Sequence, residues 1–144
     1  MKLKSFRGSI ADGAIQKIRL STNNGLTGYK IKRFEAIPNA PGTGSSNHIL
    51  KVYANVQTTT SGTIDFDNPQ ILASVWMRDN VDANYVGAIE SIIVDNKVIN
   101  QDIYVTHVET VSTEQCNFYL ELEEMKLSID EATVATLKDM RGSE

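Results

Sequence analysis

A chain of 144 residues fits one domain with one substantial core and is too short for two ordinary ones. Hydrophobic residues at 41% and charged residues at 22% lie near the globular average, which excludes global disorder. The net charge of −4 hides a split: through Arg33, eight basic residues face the single acid Asp12, giving +7, and the remainder carries −11.

No apolar run approaches the ~20 residues of a membrane helix, so no membrane partner is expected. The start, MKLKSFRGSIADGA, lacks an apolar core of signal-peptide length, so Sec-type export is not expected. The single cysteine, Cys116, excludes an intramolecular disulfide framework and a cysteine-only metal cluster, and a cytosolic origin is the simplest reading. No cofactor is expected. The charge split reads first as a solvated sheet face and next as contact between copies or with another protein. Nucleic acid is disfavoured, because no aromatic platform accompanies the basic residues.

Residues 1–13 alternate weakly and read as an N-terminal arm in preference to an edge strand, with Lys2, Lys4 and Arg7 as candidate partner contacts. From Ala14 the pattern firms, Ile18 and Leu20 alternating with Lys17 and Arg19, and Asn23, Asn24 and Gly25 end that strand. In the next, Tyr29, Ile31 and Ile37 share one parity with Arg33 and Glu35, while Phe34 and Ala36 fall with Lys30 and Lys32, so both faces read as partly wet. Pro38–Asn47, PNAPGTGSSN, is a surface loop. His48, Leu50, Val52, Ala54 and Val56 then line one face of a half-buried strand. Ile64 and Phe66 read as a short extended piece, and Asp67, Asn68 and Pro69 as a turn.

The apolar run between Gln70 and Met77 reads as a central strand covered on both faces. Arg78–Tyr85 breaks the pattern, and Val86–Val94 restarts it with Gly87 as a bulge. The strongest signal runs from Ile92 to Leu127 and reads as three successive strands. A hairpin turn at Asp95 and Asn96 joins Ile92–Val94 to Val98–Val108, and Phe118, Leu120 and Leu122 then alternate with Tyr119, Glu121 and Glu123. A short helix over 128–141 follows. Ser128 and Glu131 have capping-box spacing, Asp130 and Glu131 suit its first turn, Lys138 and Arg141 its last before Gly142, and Val134, Leu137 and Met140 form its apolar stripe. The pattern specifies a mainly β chain over 1–144, an antiparallel β-sandwich or jelly-roll-like fold of about eight strands with one C-terminal helix.

Chemistry-bearing residues are sparse. His107 and Cys116 flank the loop VETVSTEQ, close enough in a hairpin for an imidazole to deprotonate a thiol, but no orienting acid or oxyanion turn accompanies them, so no catalytic residue is assigned and an enzyme is not expected. His48 reads as a core or surface residue, with no second ligand at metal-binding spacing. Asp65, Asp67 and Asn68 lack the later glycine and glutamate of a calcium loop and read as a turn. PGTGSS lacks the lysine of a phosphate loop. Glu121 and Glu123 form an acidic row suited to basic residues of a neighbour, while Trp76, Tyr53 and Tyr85 offer stacking faces for an alternative carbohydrate-recognising module.

Three segments together, GLTGYKIKRFEAIP, VDNKVINQDIYVTH and CNFYLELEEMKLSIDEATVATLKDMRG, resemble small virion structural, capsid-associated proteins of marine and freshwater tailed bacteriophages. The likeness spans most of the chain from Gly8, and NQDIYVT with YLELEEMKL is its most specific part. It implies a decoration, cement or minor capsid subunit that assembles into the virion in the host cytoplasm. The implied partners are the major capsid protein, other virion subunits and copies of itself, and the resemblance carries no catalytic residues.

Overall fold

The structure, a computed structural model, describes residues 2–22, 24–42, 44–79, 89–94 and 97–140, the last three by backbone alone. Among these residues the chain forms β1 (Lys2–Ile10), β2 (Ile15–Ile18), β3 (Thr27–Pro38), β4 (Ser46–Tyr53), β5 (Ile71–Asp79), β6 (Ile89–Ile93), β7 (Ile103–Glu109), β8 (Cys116–Lys126) and one helix, α1 (Ile129–Met140). Two antiparallel sheets, ordered β1-β8-β3 and β2-β7-β4-β5-β6, make the mainly β sandwich that the sequence pattern implies. Its core draws Phe34, Leu120 and Leu122 from the smaller sheet and Leu50, Val52, Val75, Ile103 and Val105 from the larger, all fully buried.

The N-terminal residues are not an arm. Lys2–Ile10 pairs with β8 along its whole length, from Lys2 opposite Glu124 to Ile10 opposite Cys116, because Phe6 and Ile10 have apolar surface to bury beside Leu120 and Cys116. The hairpin expected around Asp95 and Asn96 is also absent as a strand pair. β6 pairs with β5 and β7 with β4, so β6 and β7 lie apart in one sheet, while residues 98–102 contribute only an isolated bridge, Tyr29 to Ile99. Asn23, Arg78–Tyr85 beyond Asp79, the proposed bulge at Gly87, the Asp95–Asn96 turn, Arg141 and Gly142 lie outside the described residues.

A bulge explains the apparently two-faced third strand. Ile31 pairs with Leu122 and Arg33 with Glu121, so Lys32 is an extra residue and the parity of β3 switches there. Tyr29, Ile31, Phe34 and Ala36 therefore all face the core, and Ile37 is left 62% exposed. A consequence is that deleting Lys32 restores a regular ladder with every core residue still inward. The deletion variant is expected to fold, losing no more than about 1 kcal/mol with the exposed Lys32–Glu123 pair and a little more from straightening the strand. Deleting Glu121 from β8 instead shifts one half of the strand against both β1 and β3 and is expected to abolish folding. Circular dichroism and urea unfolding of the two variants distinguish these outcomes, and loss of fold on deleting Lys32 would disprove the bulge.

β4 is buried on both faces, not one. His48, Leu50 and Val52 face the core, and residues 54–70 fold over the other face, closed at the base where Ala54 N–H donates to the Gln70 carbonyl at 2.8 Å. Under this loop Lys51 is 1% exposed and donates from Nζ to the Thr63 carbonyl at 2.6 Å. Ile64 and Phe66 belong to the loop and form no strand, and Val56 is exposed. The capping box on α1 is formed as expected, Ser128 N–H donating to Glu131 Oε1 at 3.0 Å and Glu131 N–H to Ser128 Oγ at 3.2 Å. Its packed face differs, because the small residues Ala132 and Ala135 approach Leu127 closely while Val134 and Leu137 remain exposed.

Candidate functional site

The charged candidates assemble on the smaller sheet. β8 lies between β1 and β3, so its acidic residues run between the two most basic strands of the chain. Lys2 Nζ lies 3.7 Å from Glu124, Lys32 Nζ 3.0 Å from Glu123, and Glu121 accepts the Tyr119 hydroxyl at 2.9 Å while standing opposite Arg33. The basic and acidic parts of the sequence thus meet within one molecule. Lys4 Nζ lies 5.8 Å from the Phe6 ring centre and 5.9 Å from that of Tyr29, and Arg7 is exposed beside a groove of about 840 Å³ lined by Ala36, Ile37, Val75, Ile89 and Phe118. Exposed ion pairs of this kind contribute on the order of 0–1 kcal/mol each, so they set surface potential more than stability.

Two buried or half-buried carboxylates act as backbone clamps. Asp102 Oδ1 accepts Leu20 N–H at 2.8 Å, Ser21 N–H at 2.9 Å and Ser21 Oγ at 3.0 Å, and its Oδ2 lies 3.3 Å from Lys17 Nζ. Burial alone would raise its pKa, but the Ser21 and Leu20 donors outweigh burial and hold it below the usual carboxylate value. Glu109 likewise accepts Asn47 N–H at 2.7 Å, Val111 N–H at 2.9 Å and the Ser112 amide, and these donors overcome burial and lower its pKa.

The densest cluster of reactive side chains is inside the sandwich. The chain crosses from β1 to β2 through a tight turn in which Gly13 adopts a φ of 77°, its N–H donating to the His107 carbonyl at 2.8 Å. That crossing sets the Ile10 carbonyl 2.9 Å from His107 Nδ1, and His107 Nε2 lies 2.9 Å from His48 Nδ1. A carbonyl only accepts, so His107 carries its proton on Nδ1, its Nε2 accepts, and His48 donates from Nδ1. This leaves His48 Nε2 buried with no hydrogen-bond partner among the described residues. Burial, with the neighbouring His107, pushes the His48 pKa down and keeps the ring neutral.

Cys116 completes the cluster from the other sheet. One ligand atom each from His48, His107 and Cys116 lie within 4.8 Å of one another, and all three residues are fully buried. The Cys116 sulfur is 3.8 Å from that of Met77. Burial, with a smaller contribution from Glu114, pushes the thiol up to about 12, so His107 and Cys116 are not poised as base and nucleophile. The hairpin expected to join them does not exist, since β7 and β8 belong to different sheets.

The remaining candidates separate. Trp76 donates to Asn47 Oδ1 at 2.6 Å, Tyr53 is buried, and Tyr85 lies outside the described residues. Asp65 and Asn68 accept Asp67 and Gln70 amides at 3.0 and 2.9 Å, the hydrogen bonds of side-chain turns. The Gly42 amide in the glycine-rich loop donates to Asp79 Oδ2 at 2.7 Å.

A comparison of the chain with models of known protein families gives no match, and a comparison with curated proteins gives none.

Proposed function

We propose that the chain is a bacteriophage virion structural protein, a capsid-associated subunit of the decoration, cement or minor capsid kind. It works by contact with the major capsid protein, other virion subunits and copies of itself. The observation that carries this reading is the convergence of the three segments that resemble such proteins. Asn100, fully buried in the second segment, donates to the Gly25 carbonyl of the first at 3.1 Å, and to the Ala132 carbonyl and Thr136 Oγ1 of the third at 3.1 and 2.7 Å. The first and third segments also pair along β3 and β8. The resemblance therefore falls on one packed unit and not on scattered strings. A double-sheet body with exposed Leu3, Ile37 and Ile89 beside mixed charge supplies surface for such contacts.

Mass spectrometry of purified particles from infected cells tests the reading. The protein is expected in multiple copies per particle, at a fixed ratio to the major capsid protein. Expression in infected cells together with absence from the particles would overturn it.

A further inference from the structure

We propose that His48, His107 and Cys116 bind one monovalent copper ion inside the sandwich, with Met77 as a weak fourth ligand. This goes beyond a role in particle architecture and stands independently of it.

The residue set carries the inference. Two imidazoles and a thiol come within 4.8 Å of one another in the sandwich, and a thioether lies 3.8 Å from the thiol, the four drawn from β4, β7, β8 and β5. Deeper in the sandwich each of these strands continues with aliphatic or aromatic residues, Leu50 and Val52, Ile103 and Val105, Phe118 and Leu120, Ala73 and Val75, while the buried Ser46 and Glu109 follow His48 and His107 toward the strand ends. An apolar residue would fill any of the four cluster positions without a polar atom to satisfy, yet His48 Nε2 stays buried without a partner among the described residues. His107 is already oriented as a ligand, because Nδ1–H is held on the Ile10 carbonyl and the lone pair of Nε2 points to the cluster mate His48.

Ligand softness and charge select the ion. Thiolate and thioether sulfur favour monovalent copper, and imidazole accepts copper or zinc. One thiolate cancels the charge of one monovalent ion, so the occupied site is neutral in a fully buried position. Zinc with the same ligands would leave the ligand set itself with a net positive charge. Binding expels the Cys116 thiol proton to solvent, forms the copper–sulfur and copper–nitrogen bonds, and breaks the hydrogen bond between the two histidines. With His48 ligating through the partnerless Nε2, its proton stays on Nδ1. Copper remains monovalent throughout, so no oxidant or reductant is consumed.

The test titrates tag-free protein with monovalent copper under anaerobic, reducing conditions against a chromogenic copper chelator. One equivalent is expected to be withheld from the chelator, and copper-edge X-ray absorption of that complex is expected to show both nitrogen and sulfur bound. Cys116→Ala is expected to lower the affinity by at least about 100-fold, the upper range seen for loss of even an outer-shell partner. Met77→Leu, which conserves volume, is expected to lower it less. No withheld equivalent, an unchanged affinity in folded Cys116→Ala, tighter binding of zinc than of copper, or a first shell without sulfur would each overturn the proposal. The absorption measurement needs no variant, so it decides the matter even if Cys116→Ala fails to fold.

Discussion

Replacing His107 with leucine is expected to destabilise the metal-free protein by about 2–6 kcal/mol, whereas the same change at His48 is expected to cost less than about 1.5 kcal/mol. Both rings are fully buried, and each takes part in the same 2.9 Å contact. The difference lies in what each removal leaves behind. Without His107, the Ile10 carbonyl and the His48 Nδ1–H both lose their partner in the core, at about 1–3 kcal/mol each. Without His48, His107 Nε2 loses its donor, but the partnerless His48 Nε2 disappears with the ring, so one unsatisfied atom replaces another. Urea unfolding of the two variants at neutral pH measures the gap. Equal losses would show that the proton arrangement inferred from the Ile10 carbonyl is wrong.

Phe34→Ala is expected to cost about 3–5 kcal/mol, within the range for emptying a buried aromatic site. A loss that large is a substantial share of the roughly 5–15 kcal/mol typical of a whole domain. Phe34 is fully buried, and its ring lies 6.5 Å from that of Phe118 at a tilt of 54°, a favourable edge-inclined arrangement. Its carbonyl also accepts Ser91 Oγ at 2.5 Å, linking β3 of one sheet to β6 of the other. A double-mutant cycle with Phe118→Ala should return a coupling of roughly 0.5–1.5 kcal/mol. A cost of Phe34→Ala below about 1 kcal/mol in urea unfolding would place Phe34 on the solvent side and would refute the parity switch at Lys32.

Period-two alternation makes the individual strands legible. It separates Phe118, Leu120 and Leu122 from Tyr119, Glu121 and Glu123, and the capping spacing of Ser128 and Glu131 locates the helix start. It fails at β3 because one extra residue inverts the parity, and nothing in KIKRF marks which lysine is extra. It fails for the pairing of strands because adjacency in the chain suggests a hairpin, while the burial of β4 and β5 on both faces requires them to lie inside the larger sheet. The histidine and cysteine cluster is half legible. His48, His107 and Cys116 each share parity with the apolar residues of their own strand, so each reads as inward-facing. Their meeting depends on Leu50 pairing with His107 and on β8 packing across from both, and those contacts span dozens of residues. The acidic row is legible as a face, but its cations come from β1 and β3 of the same chain.

The order β1-β8-β3 has a consequence for biosynthesis. Residues 2–10 and 27–38 have no ladder partner until residues 116–126 have been made. In the larger sheet, β2 likewise waits for β7. Among the described residues, only the run β4-β5-β6 joins strands that follow one another in sequence. The emerging polypeptide thus carries Phe6, Ile10, Ile31 and Phe34 unshielded for most of its synthesis, and the smaller sheet closes late, in a step dominated by long loop closure. Long-range pairing of this kind slows folding and exposes the waiting strands to those of neighbouring chains on the polysome.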